Sequence, residues 1–272
     1  SDLVGHVESG LRSYDWTMPE EHNRIILDHI CELLFAPTEQ TYQNLNADNV
    51  RGEIHLTGNT IVDAVQQNLE ITKRKSQVLE QFGLRPNHYA ICTFHREENV
   101  DVRDRLETIV AGVKLVAREL DLPIIFSAHP RTQKRLTEFG MTGVFADSGV
   151  QMMEPVGYLD FLLLLSNAKL IRADSGGFQE ESCILRVPCV TLRDNTERPE
   201  TLEVGANRLA GTDPEEILRA ARAMVSVSRD WGNPIGDGQA ARRIIDVVER
   251  VMKDGVDLFD NEETPRSEAQ EV

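Results

Sequence analysis

Residues 169–181 read KLIRADSGGFQEE, an apolar strand segment that passes through a Ser-Gly-Gly turn into a helix. A glycine turn at the start of a helix exposes backbone N–H groups at the positive end of the helix dipole, where phosphate groups bind. Glu180 and Glu181 follow one helical turn later, where a carboxylate can hold the hydroxyls of a ribose. A capped turn without a ligand has the same pattern, so the motif favours phosphate binding and leaves that alternative open.

Strands and helices alternate on both sides of this motif. Strands are predicted over residues 89–94, 123–127, 149–152, 169–173 and 187–192. Helices are predicted over residues 103–120, 131–139, 158–167, 177–185, 214–228 and 238–252. This alternation indicates a doubly wound, Rossmann-like domain with a parallel sheet, whose ligands bind beyond the carboxyl ends of the strands.

A smaller α/β block precedes a polar stretch at residues 73–88. Its elements are predicted as helices over 20–31 and 38–45, strands over 33–36 and 53–57, and a long helix from about residue 60. We therefore expect three regions along the chain. They are an N-terminal Rossmann-like region (1–74), a C-terminal nucleotide-binding Rossmann-like domain (75–252), and an acidic tail (253–272) that is expected to be disordered.

Composition narrows the class of protein. The formal charge of −16 opposes binding to nucleic acid, because phosphate backbones are repelled. No apolar run reaches the roughly 18 residues of a membrane span, and the first residues lack the features of a signal peptide, so we expect a cytoplasmic protein without a membrane partner. The cysteines lack C-x-x-C spacing and are expected to be reduced core thiols, not a metal site or disulfides: Cys31, Cys92, Cys183 and Cys189.

The segment TFHREEN, residues 93–99, directly follows the first strand of the larger domain. His95 and Arg96 would then lie where substrates bind in such sheets, with a proton-transfer group beside a cation that can hold phosphate. A solvated polar loop explains the segment equally well. The His129-Pro130 turn after the next strand is a weaker candidate of the same kind.

Two further polar segments contain charges that fit a catalytic or a structural role. HVESGLR (6–12) and PEEHNR (19–24) place Glu8 and either Glu20 or Glu21 as a pair for acid and base chemistry, although a surface charge cluster is the simpler explanation. LRDNTERPE (192–200) carries Arg193 and Arg198 after a strand, where structural ion pairing is an equal alternative.

Taken in order, these motifs resemble the non-hydrolysing UDP-N-acetylglucosamine 2-epimerases. The likeness runs from residue 4 to about residue 250 and includes TGNT (57–60). It implies a GT-B fold of two Rossmann-like, doubly wound parallel-sheet domains with UDP in the cleft between them. The first domain is expected to be incomplete here, because the chain is expected to lack the family's N-terminal segment.

The resemblance also implies the chemistry and the ligands. The family interconverts UDP-GlcNAc and UDP-ManNAc by eliminating UDP to 2-acetamidoglucal and adding it back, with no metal or other cofactor, and a homodimer is expected. By motif position, Glu8, Glu20 and His95 are implied as catalytic residues. The implied substrate-binding residues are Arg96, Glu98, Asn99, His129, Ser175, Gly176, Gly177, Glu181, Arg198 and Glu200.

Three alternatives to this function remain open from the sequence. A hydrolysing epimerase of the same fold would release ManNAc and UDP, and a GT-B glycosyltransferase would transfer the sugar, although the two glutamate motifs near Glu8 and Glu20 fit epimerases better. The third alternative is a non-catalytic UDP-sugar-binding fragment. Nucleotide binding without a product would identify it.

Overall fold

The computed structural model describes residues 3–16 and 18–254. Within these ranges the strands form two parallel sheets, one of three strands and one of six. Because every strand pairing is parallel and helices connect the strands, the predicted α/β class is confirmed. The acidic tail predicted over 253–272 lies almost wholly outside the described residues.

The smaller sheet has the order β1-β2-β3. Its strands are β1 (Gly5–Val7), β2 (Leu33–Ala36) and β3 (Glu53–Leu56), connected by the helices α1 (Pro19–Ile30) and α2 (Glu39–Ala47). Helix α1 begins at a proline, whose fixed φ suits the first helical position, and α2 begins at a capping box between Thr38 and Thr41. Helix α3 (Thr60–Lys75) then leads towards the larger sheet.

The larger sheet has the order β6-β5-β4-β7-β8-β9. Its strands are β4 (Ala90–Thr93), β5 (Ile124–Ser127), β6 (Val150–Met153), β7 (Leu170–Ala173), β8 (Cys189–Thr191) and β9 (Asn207–Leu209). The chain first builds outward from β4 on one side and then continues from β7 on the other side. This reversal opens a crevice beyond the carboxyl ends of β4 and β7, the place where such sheets bind ligands.

Helices cover both faces of the larger sheet. They are α4 (Val78–Gln81), α5 (Glu97–Val100), α6 (Arg103–Glu119), α7 (Pro130–Glu138), α8 (Tyr158–Ser166), α9 (Gly176–Ile184), α10 (Pro199–Glu203) and α11 (Pro214–Met224). The last helix, α12 (Ala240–Asp254), lies against the smaller sheet. The helix predicted over 214–228 therefore ends earlier, at Met224. The sequence did not predict α4, α5, α10, β1 and β9, because elements of three to five residues are too short to show a period.

Two helices connect the sheets. Helix α3 lies against α8 and α9, and the Ser76 hydroxyl donates to Asp160 Oδ1 at 2.5 Å. Helix α12 returns to the smaller sheet, where Val251 packs against Leu33 and Phe35 of β2. The division at residue 74 therefore remains a proposal, since the C-terminal helix completes the core of the smaller sheet.

The structure also bears on the cysteines and on membrane-spanning helices. Cys31, Cys92, Cys183 and Cys189 are free and buried, as predicted. Within residues 3–16 and 18–254 no helix is both long and apolar enough to cross a membrane.

Candidate functional site

The buried carboxylate of Asp174 joins the ends of β4 and β7 at the crevice. It accepts hydrogen bonds from the backbone N–H groups of His95 (3.0 Å) and Arg96 (2.9 Å) and from Asn99 Nδ2 (3.0 Å). The loop after β4 is therefore fixed to the start of the Ser-Gly-Gly turn. Asp174 belongs to the motif at residues 169–181, but no local pattern in the sequence indicates this role.

Asn99 lies behind the crevice and does not line it. Its side chain is completely buried, and Nδ2 also donates to the carbonyl of Leu192 at 3.0 Å. Its Oδ1 atom accepts from Arg105 Nε at 2.9 Å. Because the side chain is completely buried and both its Oδ1 and Nδ2 atoms have partners, Asn99 holds the loops after β4, β7 and β8 together in this structure, whereas the resemblance implied a contact with substrate.

The Ser-Gly-Gly turn opens α9 as expected, with Ser175 at the N-cap position and Gly176 and Gly177 in the first turn. A Cβ atom on Gly176 would lie 3.2 Å from Glu197 Oε1, so the glycine permits a close approach of this carboxylate. Glu197 also pairs with Arg96 (3.1 Å) and Arg193 (2.7 Å). Burial alone would raise the pKa of Glu197, but the two arginines outweigh it and lower that pKa to about 2.

A cleft of about 660 Å³ lies in front of this turn, a size suited to a small-molecule ligand. Its lining includes five residues predicted as site residues: Glu20, His95, Arg96, Glu98 and Ser175. The other lining residues are Asp15, Met18, Pro19, Glu97, Arg105, Arg131, Arg193, Asp194 and Asn195. The start of α1, from the half of the molecule built on the smaller sheet, thus faces the loops after β4, β7 and β8.

His95 stacks on His129, with ring centroids 4.9 Å apart and planes at 29°. His129 Nδ1 accepts from the backbone N–H of Arg131 at 3.2 Å, so Nε2 carries the proton when this ring is neutral. Burial lowers the pKa of His95; Asp174 opposes this, whereas His129, Arg96 and Arg131 add to it. His95 is therefore mainly neutral near pH 7 and able to accept a proton.

Glu8, predicted as catalytic, belongs to a second cluster beside the cleft. Its Oε1 atom accepts from Asn59 Nδ2 at 2.9 Å, and the same nitrogen donates to Glu180 Oε1 at 2.8 Å. Arg198 Nε lies 2.6 Å from that Glu180 oxygen. Burial raises the pKa of Glu180 to about 7; Glu8 and Glu197 act in the same direction and Arg198 opposes them.

The remaining predicted residues lie around this second cluster. Glu200 Oε1 accepts from the Thr38 hydroxyl at 2.6 Å, a contact between the two halves of the molecule. Glu181 is buried against Tyr158, and burial raises its pKa to about 7. The structure thus places most of the predicted residues at the cleft or around the Asn59 cluster, whereas Asn99 lies buried behind the crevice.

The loop that carries Glu8 is shaped by two buried carboxylates of α1. Asp28 contacts His6 Nδ1 (2.6 Å), the Gly10 N–H (3.2 Å) and Arg12 (2.7 Å). Glu21 accepts from the backbone N–H groups of Ser13 and Tyr14, each at 3.0 Å. Glu21 is therefore structural, while its neighbour Glu20 lines the cleft. In the described part of the chain no group of three or more His, Cys, Asp or Glu residues is placed to hold a metal ion.

Comparison with known proteins gives consistent matches. Residues 3–249 match the family model described as UDP-N-acetylglucosamine 2-epimerase. A relative of that name from Methanocaldococcus jannaschii is 49% identical over 249 residues, which cover 90% of this chain and 68% of the relative. A relative of the same name from Methanococcus maripaludis is 47% identical, with the same coverage of 90% and 68%.

Solved structures give the same result. The crystal structure of the M. jannaschii UDP-GlcNAc 2-epimerase in complex with UDP-GlcNAc and UDP matches with a TM-score of 0.86 and 49% identity. The match covers 91% of this chain and 69% of that one. A UDP-GlcNAc 2-epimerase from Neisseria meningitidis bound to UDP-GlcNAc matches with a TM-score of 0.81 and 29% identity, covering 91% and 70% of the two chains.

Proposed function

Because the chain belongs to the UDP-N-acetylglucosamine 2-epimerase family, we propose that it interconverts UDP-GlcNAc and UDP-ManNAc. The predicted GT-B fold is confirmed by the two parallel sheets and by the match to the M. jannaschii structure. One observation carries the proposal most directly. Ser175 of the glycine turn at the start of α9, several arginines and two candidate proton-transfer groups, Glu20 and His95, line one cleft.

The proposed reaction removes the C2 proton of the sugar while the bond between C1 and the UDP oxygen breaks. UDP leaves with the bonding electrons, and a C1–C2 double bond forms to give 2-acetamidoglucal. A proton then returns to C2 on the opposite face, and a UDP oxygen adds to C1. Since the C2 proton is weakly acidic, the departing diphosphate must be stabilised as the proton leaves.

That stabilisation is assigned to the positive charges around the Ser-Gly-Gly turn. Arg96 and Arg193 lie at the start of α9, and both are held by Glu197. The first N–H groups of α9 add the positive end of the helix dipole. Fixed donors of this kind stabilise charge without having to reorganise during the reaction.

Proton transfer is assigned to Glu8, Glu20 and His95. Epimerisation needs one group that removes the C2 proton and another that returns a proton to the other face. Glu20 comes from α1 and His95 from the loop after β4, so the two groups reach the cleft from different halves of the molecule. The low pKa of His95 favours a neutral ring that can accept a proton.

The nucleoside is assigned to the side of α9 that carries Glu181. A buried carboxyl group beside the Tyr158 hydroxyl can exchange hydrogen bonds with the two ribose hydroxyls. Arg198 and Glu200, which contact Glu180 and Thr38, are assigned to the same end of the site.

Product analysis tests this function against its alternatives. Purified protein is incubated with UDP-GlcNAc and the products are separated by anion-exchange chromatography. Formation of UDP-ManNAc without free sugar is the expected result. Free ManNAc with an equal amount of UDP would identify a hydrolysing enzyme. Binding of UDP without any product would identify a binding protein.

We also propose a homodimer that acts in the cytoplasm. Ile26, Leu27 and Ile30 leave apolar surface exposed on α1, which supports contact with a second copy. Light scattering coupled to size-exclusion chromatography would give a mass of one chain if the dimer proposal is wrong.

A further inference from the structure

Asn59 is a buried residue between the two halves of the molecule. Its side chain is 1% exposed, and every polar atom of the side chain has a partner. Oδ1 caps α3 by accepting from the Ile61 N–H at 3.0 Å. Nδ2 donates to Glu8 at 2.9 Å and to Glu180 at 2.8 Å. One amide group therefore joins the beginning of α3, the loop after β1 and the helix α9.

The two carboxylates that share Asn59 have different surroundings. Glu180 lies beside Arg198, which balances its charge. Arg198 also attracts Glu8 electrostatically, but the hydrogen-bond donor to Glu8 among the described residues is Asn59 Nδ2. Glu8 also has a φ of 65°, a left-handed conformation that a residue with a side chain adopts at a cost. Its orientation therefore depends on the contact with Asn59.

We propose that Asn59 is a positioning residue, which fixes the catalytic carboxylate of Glu8 relative to the nucleotide-binding helix α9. The inference rests on the proposed epimerase function. Glu180 precedes the ribose-binding candidate Glu181 on the same helix. Asn59 thus sets the distance between the part of the site that holds the nucleotide and a group that moves the C2 proton. A displacement of about 1 Å at such a group is enough to slow a reaction about 100-fold.

Asn59 can fill this positioning role because its side chain is uncharged. An amide donates one N–H to each carboxylate without changing the net charge of the cluster. An ionised aspartate at this position would donate to neither and would place a third carboxylate beside Glu8 and Glu180. It would still cap α3, because a carboxylate oxygen accepts from the Ile61 N–H as well as an amide oxygen does.

Two variants separate positioning from helix capping. Asn59→Asp and Asn59→Ser both keep a capping acceptor for α3 and both lose the amide that donates to Glu8 and Glu180 together, because the single, shorter hydroxyl of serine cannot donate to both. Asp213→Ala is the matched control, because it removes the cap of α11 at an exposed position outside the proposed site. The readouts are kcat for formation of UDP-ManNAc, the Kd for UDP by calorimetry, and Tm.

We expect kcat to fall about 10- to 100-fold in both Asn59 variants while the Kd for UDP changes by less than about threefold. Asp213→Ala should lower Tm and leave kcat unchanged. A kcat within about twofold of the wild type in either Asn59 variant would overturn the proposal, and so would a loss of UDP binding equal to the loss of kcat. A wild-type protein without epimerase activity would instead overturn the proposed function itself.

Discussion

At the scale of single residues, the buried carboxyl group of Glu181 makes the free energy of unfolding depend on pH. Burial raises its pKa from the ordinary value of 4.5 to about 7, with Glu180 acting in the same direction and the hydrogen bond with Tyr158 opposing it. The folded protein therefore binds this proton more tightly than the unfolded chain does. The stabilisation that results is complete below about pH 4.5 and is lost as the pH rises through 7.

Glu181→Gln should remove this pH dependence. The amide does not titrate, so the free energy of unfolding of the variant should rise relative to wild type by about 2 to 3 kcal/mol between pH 5 and pH 8. Urea unfolding of both proteins at several pH values measures the difference. Glu39→Gln, at an exposed position of α2, is the control. Parallel stability curves for Glu181→Gln and wild type would contradict the assignment.

Sequence motifs identify segments that contribute to the site, but they do not show which side chain of a segment faces the cleft. Glu20 and Glu21 are adjacent on α1, and only the packing of the helix decides that Glu20 faces the cleft and Glu21 the loop. Asn59 was seen as part of TGNT, but its partners lie 51 and 121 residues away in the chain. No local pattern identifies such partners.

At the scale of secondary structure, β7 carries an unusual residue. Arg172 pairs in register with Cys92 of β4 and Val190 of β8 and is fully buried in the centre of the sheet. Among the described residues, no group accepts a hydrogen bond from its Nε or from either terminal nitrogen. Burial lowers the pKa of Arg172 while Cys92 opposes this, and a buried charge without a partner destabilises the fold.

Arg172→Met is therefore expected to stabilise the protein. Methionine has a similar length and fills apolar space without a charge, so the free energy of unfolding should increase by about 2 kcal/mol or more. Chemical denaturation measures the change. Arg118→Met, at an exposed position of α6, should change stability by less than about 0.5 kcal/mol. A less stable Arg172→Met would mean that the guanidinium has a stabilising partner.

The sequence predicts long helices and strands better than elements of three or four residues. Long amphipathic helices such as α3 and α6 have enough turns to show a helical period. β9 is three residues long and exists because it pairs with β8, which only the fold determines. The sequence does not predict helix α5, because four residues are too few to show a helical period and the helix forms where Asn99 contacts Asp174.

At the scale of the whole molecule, the site depends on the contact between two halves. Glu20 and Glu8 come from the region of the smaller sheet, whereas the phosphate turn and His95 come from the larger sheet. Helices α3 and α12 hold these regions together. The matched residues span 68% of the length of the M. jannaschii relative. The resemblance based on the order of the motifs implied a cleft between two domains, but the sequence could not give the geometry of that cleft.

In the proposed reaction, groups of this cleft remove and return the proton at C2 of a UDP-sugar. Proton NMR of UDP-GlcNAc with the purified protein in deuterated buffer tests it most directly. We expect the C2 proton signal to decay as deuterium enters and the anomeric signal of UDP-ManNAc to grow. A C2 proton that stays intact while the uridine signals broaden on binding would contradict it.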